Sequence, residues 1–335
     1  RPLWDTYSTR AIAHTIDVYN QFAITYPYPT AQSVNGPVGG MEYPMITFNG
    51  PRPVRGDDGR LTYTERAKNG LIGVVIHEVG HIYFPMVINS DERQWTWMDE
   101  GLNSFLQYEA QKLWDPDFPS RGEPRDIVEY MISEDQVPIM TQSDSLLQFG
   151  NNAYAKPATA LVILRETVLG RELFDRAFRE YSARWAFKRP TPYDFFRTME
   201  ESSGVDLDWF WRGWFYSTDH VDISLDGVTA ARLAPADPEA RARADRERFA
   251  GEPVPTTVTG NRGMETVIER DPAVRDFYNE TDRFTVTAAQ RREAATAAAR
   301  ADADRRAAQG FDDNIYRFTF TNVGGLVMPV ILKLT

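Results

Sequence analysis

The chain has 335 residues, of which 42% are hydrophobic and 25% charged, so two or more globular folding units are expected. A formal net charge of −11 disfavours nucleic acid and anionic membrane surfaces as partners. The chain contains no cysteine, which excludes disulfides and thiolate ligands and leaves histidine and carboxylate groups for any metal site.

Targeting and membrane signals are weak. The most apolar stretch, residues 71–88, is interrupted by two histidines and a glutamate, so no transmembrane segment is predicted. The sequence opens without a start methionine or signal peptide and stops inside an apparent strand, so we expect a fragment or a processed product. The absence of cysteine fits a bacterial periplasmic or secreted protein, which we favour, as well as a cytoplasmic one.

The N-terminal region predicts one helix and a small sheet. Apolar residues at helical spacing indicate a helix over residues 6–23, before two prolines that would end it. Residues 31–65 are rich in glycine and proline and include the short extended pieces 45–48 and 61–63. This pattern is typical of a few short strands joined by loops.

Residues 77–81 read His-Glu-Val-Gly-His inside a strongly apolar segment. Because residues four apart lie on one face of a helix, His77 and His81 can point both imidazoles at one metal ion. Glu78 lies one step round the helix, where it can reach a water at that ion without being a ligand. Such side chains are costly to bury as ordinary core residues, whereas Zn²⁺ would pair with them. The pattern is typical of zinc-dependent peptide hydrolysis.

A third ligand candidate, Glu100, follows nineteen residues after His81, early in a predicted helix over residues 98–113. Catalytic zinc commonly has three protein ligands and one open position, so His77, His81 and Glu100 can hold one Zn²⁺ ion. This requires a short loop that folds the second helix back beside the first. Zinc would acidify its bound water, and Glu78 could then act as general base and pass the proton to the leaving amine.

Helices are predicted to dominate from residue 66 to residue 217. Beyond those already named, periodicity places them at 125–133, 153–169, 171–185, 192–203 and 206–216. Residues 229–310 are rich in alanine, arginine and acidic residues, which indicates solvated helices. A strand is predicted at 221–228, and the alternation at 316–320, a turn and the apolar run 327–334 predict a β-hairpin.

Three stretches of the chain, in order, resemble motifs of the aminopeptidase N-like gluzincins, a family of zinc exopeptidases with a thermolysin-like catalytic domain. Gly39-Gly40-Met41-Glu42-Tyr43 is similar to the family's glycine-x-methionine-glutamate-asparagine motif. The segment 77–81 with Asp99-Glu100-Gly101 is similar to its zinc motif. Tyr154-Ala155-Lys156 is similar to its tyrosine-x-lysine-glycine helix start. The likeness covers residues 35–170 and continues more loosely to 216.

The resemblance implies an α+β fold, with a thermolysin-like metallopeptidase domain made of a small mixed sheet and a mainly helical lobe, followed by a partial β domain. We expect the peptidase domain at residues 1–218, a connector with a helical segment at 219–311, and the start of a β-sandwich-like domain at 312–335. The family's N-terminal β domain is not visible in the sequence.

The resemblance also implies roles for matching residues. Glu42 would bind the free α-amino group of a peptide substrate, and a carboxylate is a suitable partner for an ammonium group. Gly39, Gly40 and Met41 would line the substrate through their backbone like an added strand. Tyr154 would donate its hydroxyl to the tetrahedral oxyanion.

We therefore predict a zinc-dependent aminopeptidase that acts on peptides. The alternatives are a zinc endopeptidase or other hydrolase on the same scaffold, and a non-catalytic peptide-binding protein. The chain departs from the family at Tyr43, where an asparagine is usual, and at Pro157, where a glycine is usual. Gln107 stands where relatives often have a glutamate, and it is a candidate partner for one of the ligands.

Overall fold

The structure, a computed structural model, describes residues 2–232, 237–254, 263, 265, 267–271, 273, 277–300 and 314–333. The chain forms two compact units, one of Arg1–Ser224 with Asn322–Thr335 and the other of Leu225–Thr321. The three-part division at residues 218 and 311 stays a prediction, and residues 301–313 lie outside the described part of the chain.

The first unit begins with a long helix, α1 (Pro2–Phe22). Its buried residues recur at helical spacing and include Ala11, Thr15, Val18 and Phe22. Tyr19 on the same helix is fully buried, and its hydroxyl donates a hydrogen bond of 2.7 Å to Asn103 Oδ1. The N-terminal helix thereby packs behind the segment that carries the candidate metal ligands.

A three-stranded sheet follows, made of β1 (Gln32–Asn35), β2 (Gly40–Tyr43) and β3 (Ile46–Asn49). The central strand β3 is parallel to β1 and antiparallel to β2, so the predicted small mixed sheet is confirmed and β2 lies at its edge. Side chains alternate between the two faces of a strand, which places Gly40 and Glu42 on one face. Two short strands, β4 (Val54–Arg55) and β5 (Leu61–Thr62), form a separate antiparallel pair.

Helix α2 (Glu65–Gly80) carries the His-Glu-Val-Gly-His motif at its C-terminal end. Thr64 caps its start, since the threonine hydroxyl accepts a hydrogen bond of 3.1 Å from the backbone N–H of Ala67. Among the described residues, one helical stretch, Glu65–Val87, is long and apolar enough to cross a membrane. However, 78% of its most apolar window is buried inside the protein, and packing as a core helix accounts for that composition.

A turn of π-helix (Ile82–Val87) and a short loop connect α2 to α3 (Thr96–Trp114), which packs against α2. The predicted helix at 98–113 is confirmed, with two more residues at its start and one more at its end. The chain direction reverses between the two helices. Glu100, in the first turns of α3, is therefore returned to the C-terminal end of α2.

The remaining helices of the first unit form the helical lobe. Their bounds are α4 (Val128–Met131), α5 (Lys156–Ile163), α6 (Arg171–Trp185), α7 (Pro192–Ser203) and α8 (Asp208–Tyr216), with 3-10 turns at Pro124–Ile127 and Ser143–Ser145. Together with the sheets, these helices confirm the α+β class.

The continuous helix predicted over residues 153–169 is wrong in detail. Segments of π-helix at Gly150–Ala155 and Leu164–Val168 flank α5. Pro157 has no backbone N–H to donate to the preceding turn, so regular α-helical hydrogen bonding cannot run through this position. The predicted helix at 125–133 is likewise reduced to the single turn of α4 and the 3-10 turn before it.

In the second part of the chain, β6 (Ile223–Arg232) pairs with β7 (Asn314–Asn322). Among the described residues, four helices lie between them in sequence: α9 (Pro238–Ala250), α10 (Val267–Arg270), α11 (Phe277–Glu280) and α12 (Ala288–Arg300). Neither α9 nor α12 has a buried residue, and an ion pair of 2.6 Å joins Glu239 to Arg291. The alanine-rich and charged composition is therefore accommodated by exposed helices.

The hairpin predicted between residues 316–320 and 327–334 is wrong. The turn after β7 instead bonds back to the segment before β6: Leu326 N–H donates to His220 O at 3.2 Å, and His220 N–H donates to Gly324 O at 3.0 Å. Leu326 is 1% exposed and lies against Gly213. Burial of this leucine holds the turn, and residues 327–333 are not in a strand.

Candidate metal centre

Three donor atoms converge at the junction of α2 and α3. His77 Nε2 lies 3.0 Å from His81 Nε2, and Glu100 Oε2 lies 3.1 Å from the first and 3.3 Å from the second. The i, i+4 spacing on α2 brings the imidazoles together, and the packing of α3 on α2 adds the carboxylate. All three predicted ligands are thus brought to one point.

A hydrogen bond on the side of the ring away from the cluster sets the orientation of His77. Gln107 Oε1 lies 2.9 Å from His77 Nδ1, while Gln107 Nε2 donates to the carbonyl of Gly73 at 3.2 Å. Because the amide nitrogen is committed to Gly73, the atom that faces His77 is an acceptor. His77 Nδ1 must then carry the proton, and in the neutral ring Nε2 presents a lone pair to the cluster.

Different partners orient His81, and its Nε2 also faces the cluster. Its Nδ1 lies 2.8 Å from the carbonyl oxygen of Phe84, and Asp99 Oδ1 is 3.0 Å from the same nitrogen. A carbonyl can only accept, so Nδ1 carries the proton and Nε2 of the neutral ring is free to act as a ligand. Phe84 lies in the π-helical turn that follows α2, so this turn supports the site as well as connecting the helices.

The donor set fits a divalent zinc ion. Two imidazole lone pairs and a carboxylate oxygen within 3.3 Å of one another repel unless a cation lies among them, and two nitrogens with one oxygen is a common catalytic zinc set. Burial and the neighbouring His81 lower the pKa of His77. Burial also lowers the pKa of His81, but hydrogen bonds to Asp99 and Glu100 outweigh it and raise that pKa overall. These carboxylates therefore favour positive charge at the cluster.

Glu78 lies beside the cluster, 5% exposed, and its Oε2 has no hydrogen-bond partner. Burial raises its pKa to about 8; His81 opposes the shift, and the charges of Glu42 and Glu100 add to it. A cation at the cluster would favour the ionised form of Glu78 and lower this pKa.

The predicted substrate-binding residues lie on or beside the edge strand β2. Glu42 points at the cluster, since its carboxylate, that of Glu78 and a His81 nitrogen lie within 4.8 Å of one another. Met41 is exposed on the other face of the strand, and Gly39 precedes the strand in open space. Gly40 is in close contact with α2, because a Cβ built on it would overlap Glu78 Oε1 and lie 2.7 Å from Val74 Cγ2.

Tyr154 also lies against the cluster. Its ring stacks on that of His77, with a centroid separation of 5.7 Å and an interplanar angle of 22°. Burial raises the pKa of Tyr154, and the charge of Glu100 and a hydrogen bond to that carboxylate raise it further. The phenol therefore stays protonated and can donate a hydrogen bond.

The sequence-based prediction did not include two residues near the site. Asn103 Nδ2 donates to the backbone carbonyl of His77 at 2.8 Å, and a Cβ on Gly80 would overlap Asn103 Oδ1. Its position three residues after Glu100 on the same helix face was an available signal. Glu92, in the loop before α3, lies within electrostatic reach of Glu42, and no spacing rule in the sequence marks it.

Comparisons with known proteins identify the family. A family model described as the peptidase family M1 domain matches residues 7–214. The chain is 24% identical over 239 residues to the probable aminopeptidase 1 of Sulfurisphaera tokodaii, covering 64% of this chain and 29% of that protein. It is 23% identical over 252 residues to the glutamyl aminopeptidase of Bos taurus, covering 68% and 25%. It spans less than a third of the length of either relative.

Among solved structures, the M1 zinc metallopeptidase from Deinococcus radiodurans is similar at a TM-score of 0.49 and 18% identity, covering 63% of this chain and 44% of that one. The family match spans more than half of the chain and includes all three sequence motifs. The chain therefore belongs to peptidase family M1, the aminopeptidase N-like zinc metallopeptidases.

Proposed function

We propose that this chain carries the catalytic site of a zinc aminopeptidase that removes the N-terminal residue of peptides. The observation that carries the proposal is the convergence of His77 Nε2, His81 Nε2 and Glu100 Oε2 within 3.3 Å, with Nδ1 of each ring hydrogen-bonded on the side away from the cluster. Membership of family M1 supports the same chemistry.

One zinc ion would be held by His77, His81 and Glu100. When bound, zinc supplies a Lewis acid that polarises the scissile carbonyl and makes water more acidic. A second carboxylate-rich group, Glu42, Glu78 and His81, shares His81 with the first, so the two groups cannot each hold an ion independently. We therefore propose one zinc ion per chain.

Glu78 acts as general base in this proposal. Its free oxygen lies beside the ligands, so it can accept the proton of the attacking water and deliver it to the leaving amine. Tyr154, held protonated beside His77, donates its hydroxyl to the oxygen on which negative charge develops. Acid–base work and oxyanion stabilisation are thus assigned to two different side chains at one cluster.

Glu42 receives the substrate's α-ammonium group. It lies in the edge strand β2. Among the described residues, β2 pairs with β3 on one side and with no strand on the other, so an extended peptide can add there as a strand. The positive charge of the ammonium would pair with the Glu42 carboxylate. This would fix the first peptide bond next to the metal ligands and limit cleavage to one residue from the N-terminus.

The test of exopeptidase function compares a peptide with a free N-terminus and its N-acetylated form. We expect cleavage of the free form only, and we expect Glu42→Gln to lower kcat/KM for that form by about 10–100-fold, the value of a charge-assisted hydrogen bond. Liquid chromatography of the products measures both. Glu129→Gln, an exposed carboxylate change on α4, is the matched control. Equal cleavage of the two peptides would support the endopeptidase alternative instead.

The close contact of Gly40 with α2 leads to a second prediction. In Gly40→Ala the new methyl group has to displace Glu78 or Val74, so the general base moves relative to the ligands. We expect kcat to fall by about 10–100-fold, because displacements near 1 Å have effects of this size. Gly227→Ala, outside the predicted substrate-binding residues, is the matched control, since its Cβ would meet nothing within 4 Å. Equal activity of both variants would show that Gly40 is not required at this contact.

A further inference from the structure

Two fully buried polar residues flank Tyr154 in sequence. Asn152 is 1% exposed and Lys156 is 0% exposed. Residues four apart share one side of a helix, whereas the residue midway between them points to roughly the opposite side. With Tyr154 directed at the metal cluster, Asn152 and Lys156 are directed away from it, into the protein.

Both side chains bond to the same loop, residues 136–138. Lys156 Nζ donates to Gln136 Oε1 at 2.7 Å, and Asn152 Nδ2 donates to the carbonyl of Val137 at 2.8 Å. Lys156 Nζ also donates to the carbonyl of Ser217, just after α8, at 3.3 Å. The segment that carries Tyr154 is therefore bonded on its inner side to two parts of the chain that are distant in sequence.

The acceptors of Lys156 are themselves held in place. Gln136 is 7% exposed, and its Nε2 donates to the carbonyls of Met131 at 2.6 Å and Thr218 at 2.8 Å. All of these contacts lie within the first compact unit. The oxygen that faces Lys156 is thus fixed by two other bonds of the same amide.

The charge of Lys156 is not explained by ion pairing. Among the described residues no carboxylate forms a salt bridge with it, and Asp219 acts only at longer range. Burial lowers the pKa of Lys156 to about 8. A buried ammonium on neutral oxygens is costly, so an apolar side chain of similar length would serve packing better. The lysine instead fixes the orientation of its own segment, because its N–H groups donate to two oxygens at set positions.

We propose that Lys156 is a positioning residue that, together with Asn152, ties the inner side of its helix to Gln136, Val137 and Ser217 and thereby holds Tyr154 over the metal ligands. The proposal rests on the proposed function, in which Tyr154 stabilises the oxyanion. Nothing in the zinc motif or in the role of Tyr154 itself requires a charged residue at this buried position.

The principal test is a double-mutant cycle with Lys156→Met and Tyr154→Phe in the zinc-loaded chain. Methionine keeps length and apolar volume but removes the donors. We expect Lys156→Met to lower kcat about tenfold with little change in KM and no change in zinc content. In the background of Tyr154→Phe the same change should lower kcat less than twofold, because the residue through which it acts has already lost its hydroxyl. Lys188→Met, at an exposed lysine after α6, is the matched control.

A second measurement tests the hydrogen bonds of Lys156 independently of catalysis. Amide hydrogen exchange should rise at least tenfold in residues 150–156 of Lys156→Met and stay unchanged in α2, which carries His77 and His81. If Lys156→Met does not fold, Gln136→Met removes the acceptor from the opposite side. It is expected to give the same local exchange and the same loss of kcat.

Additive losses in the two backgrounds, or exchange that rises equally throughout the unit, would overturn the proposal, because Lys156 would then serve stability alone. If Tyr154→Phe by itself leaves kcat unchanged, the proposed role of Tyr154 fails instead. Amide hydrogen exchange then tests whether Lys156 holds this segment in place. A rise confined to residues 150–156 supports that role, and no rise rejects it.

Discussion

Replacing Glu78 with glutamine is expected to lower kcat by about 10²–10⁴-fold, the range for loss of a general base. Glutamine has the shape of glutamate but cannot accept the proton of the attacking water. Glu78 is 5% exposed and its Oε2 has no hydrogen-bond partner, so the substitution removes no hydrogen bond from that oxygen. The loss should therefore appear in kcat, with zinc still bound.

The measurement combines release of an aminoacyl chromophore with metal analysis of the purified variant. Burial raises the pKa of Glu78, so its ionised form is costly to hold in the fold. We accordingly expect Glu78→Gln to unfold at a temperature no lower than that of the unaltered chain. Retention of more than a tenth of the activity in a zinc-loaded variant would remove Glu78 from the catalytic role.

Replacing Glu100 with glutamine is expected to weaken zinc binding by about a hundredfold or more. Changes behind a metal ligand already cost about 10–100-fold, and Glu100 supplies one of three ligand atoms and the only negative charge among them. Activity should fall in proportion to bound zinc. A strong chelator should abolish the activity of the unaltered chain, and added zinc should restore it.

Chelator competition measures the zinc affinity, and metal analysis should find one zinc per unaltered chain. Gln107→Ala provides a graded comparison, with an affinity loss of about tenfold, since it frees His77 Nδ1 without removing a ligand. Glu129→Gln, an exposed carboxylate change on α4, should leave zinc affinity unaltered. Full zinc content in Glu100→Gln at limiting zinc would show that the carboxylate is not a ligand.

Local chemistry made much of the site predictable. The placement of His77 and His81 on one face follows from the helical repeat, and the charge and apolar pattern of α2 made an ordinary core role costly. The helices at 171–185 and 192–203 were predicted with the bounds that the structure shows, because their periodicity and end signals agree. Family M1 was indicated by the three motifs before the comparison identified it.

Predictions failed where distant contacts compete with local preference. The run 327–334 has the composition of a strand, yet burial of Leu326 and the bonds of the turn to His220 prevent the predicted hairpin. The helix over 153–169 differs for a local reason, since Pro157 lacks a backbone N–H and π-helical segments flank α5. In the C-terminal run, the pattern identified the type of residue correctly but not the partner with which it would pack.

The sequence by itself determined the family, the candidate ligands His77, His81 and Glu100, and the chemistry that they can support, because these depend on residue type and on spacing along one or two helices. Only the tertiary structure decided how His77 and His81 are oriented, how closely β2 approaches Glu78, and what holds Tyr154 in place. Those features arise where Gln107, Phe84, Gly40 and Lys156 meet partners from other elements. Hydrogen bonds and steric contacts of that kind depend on three-dimensional proximity, which no local pattern encodes.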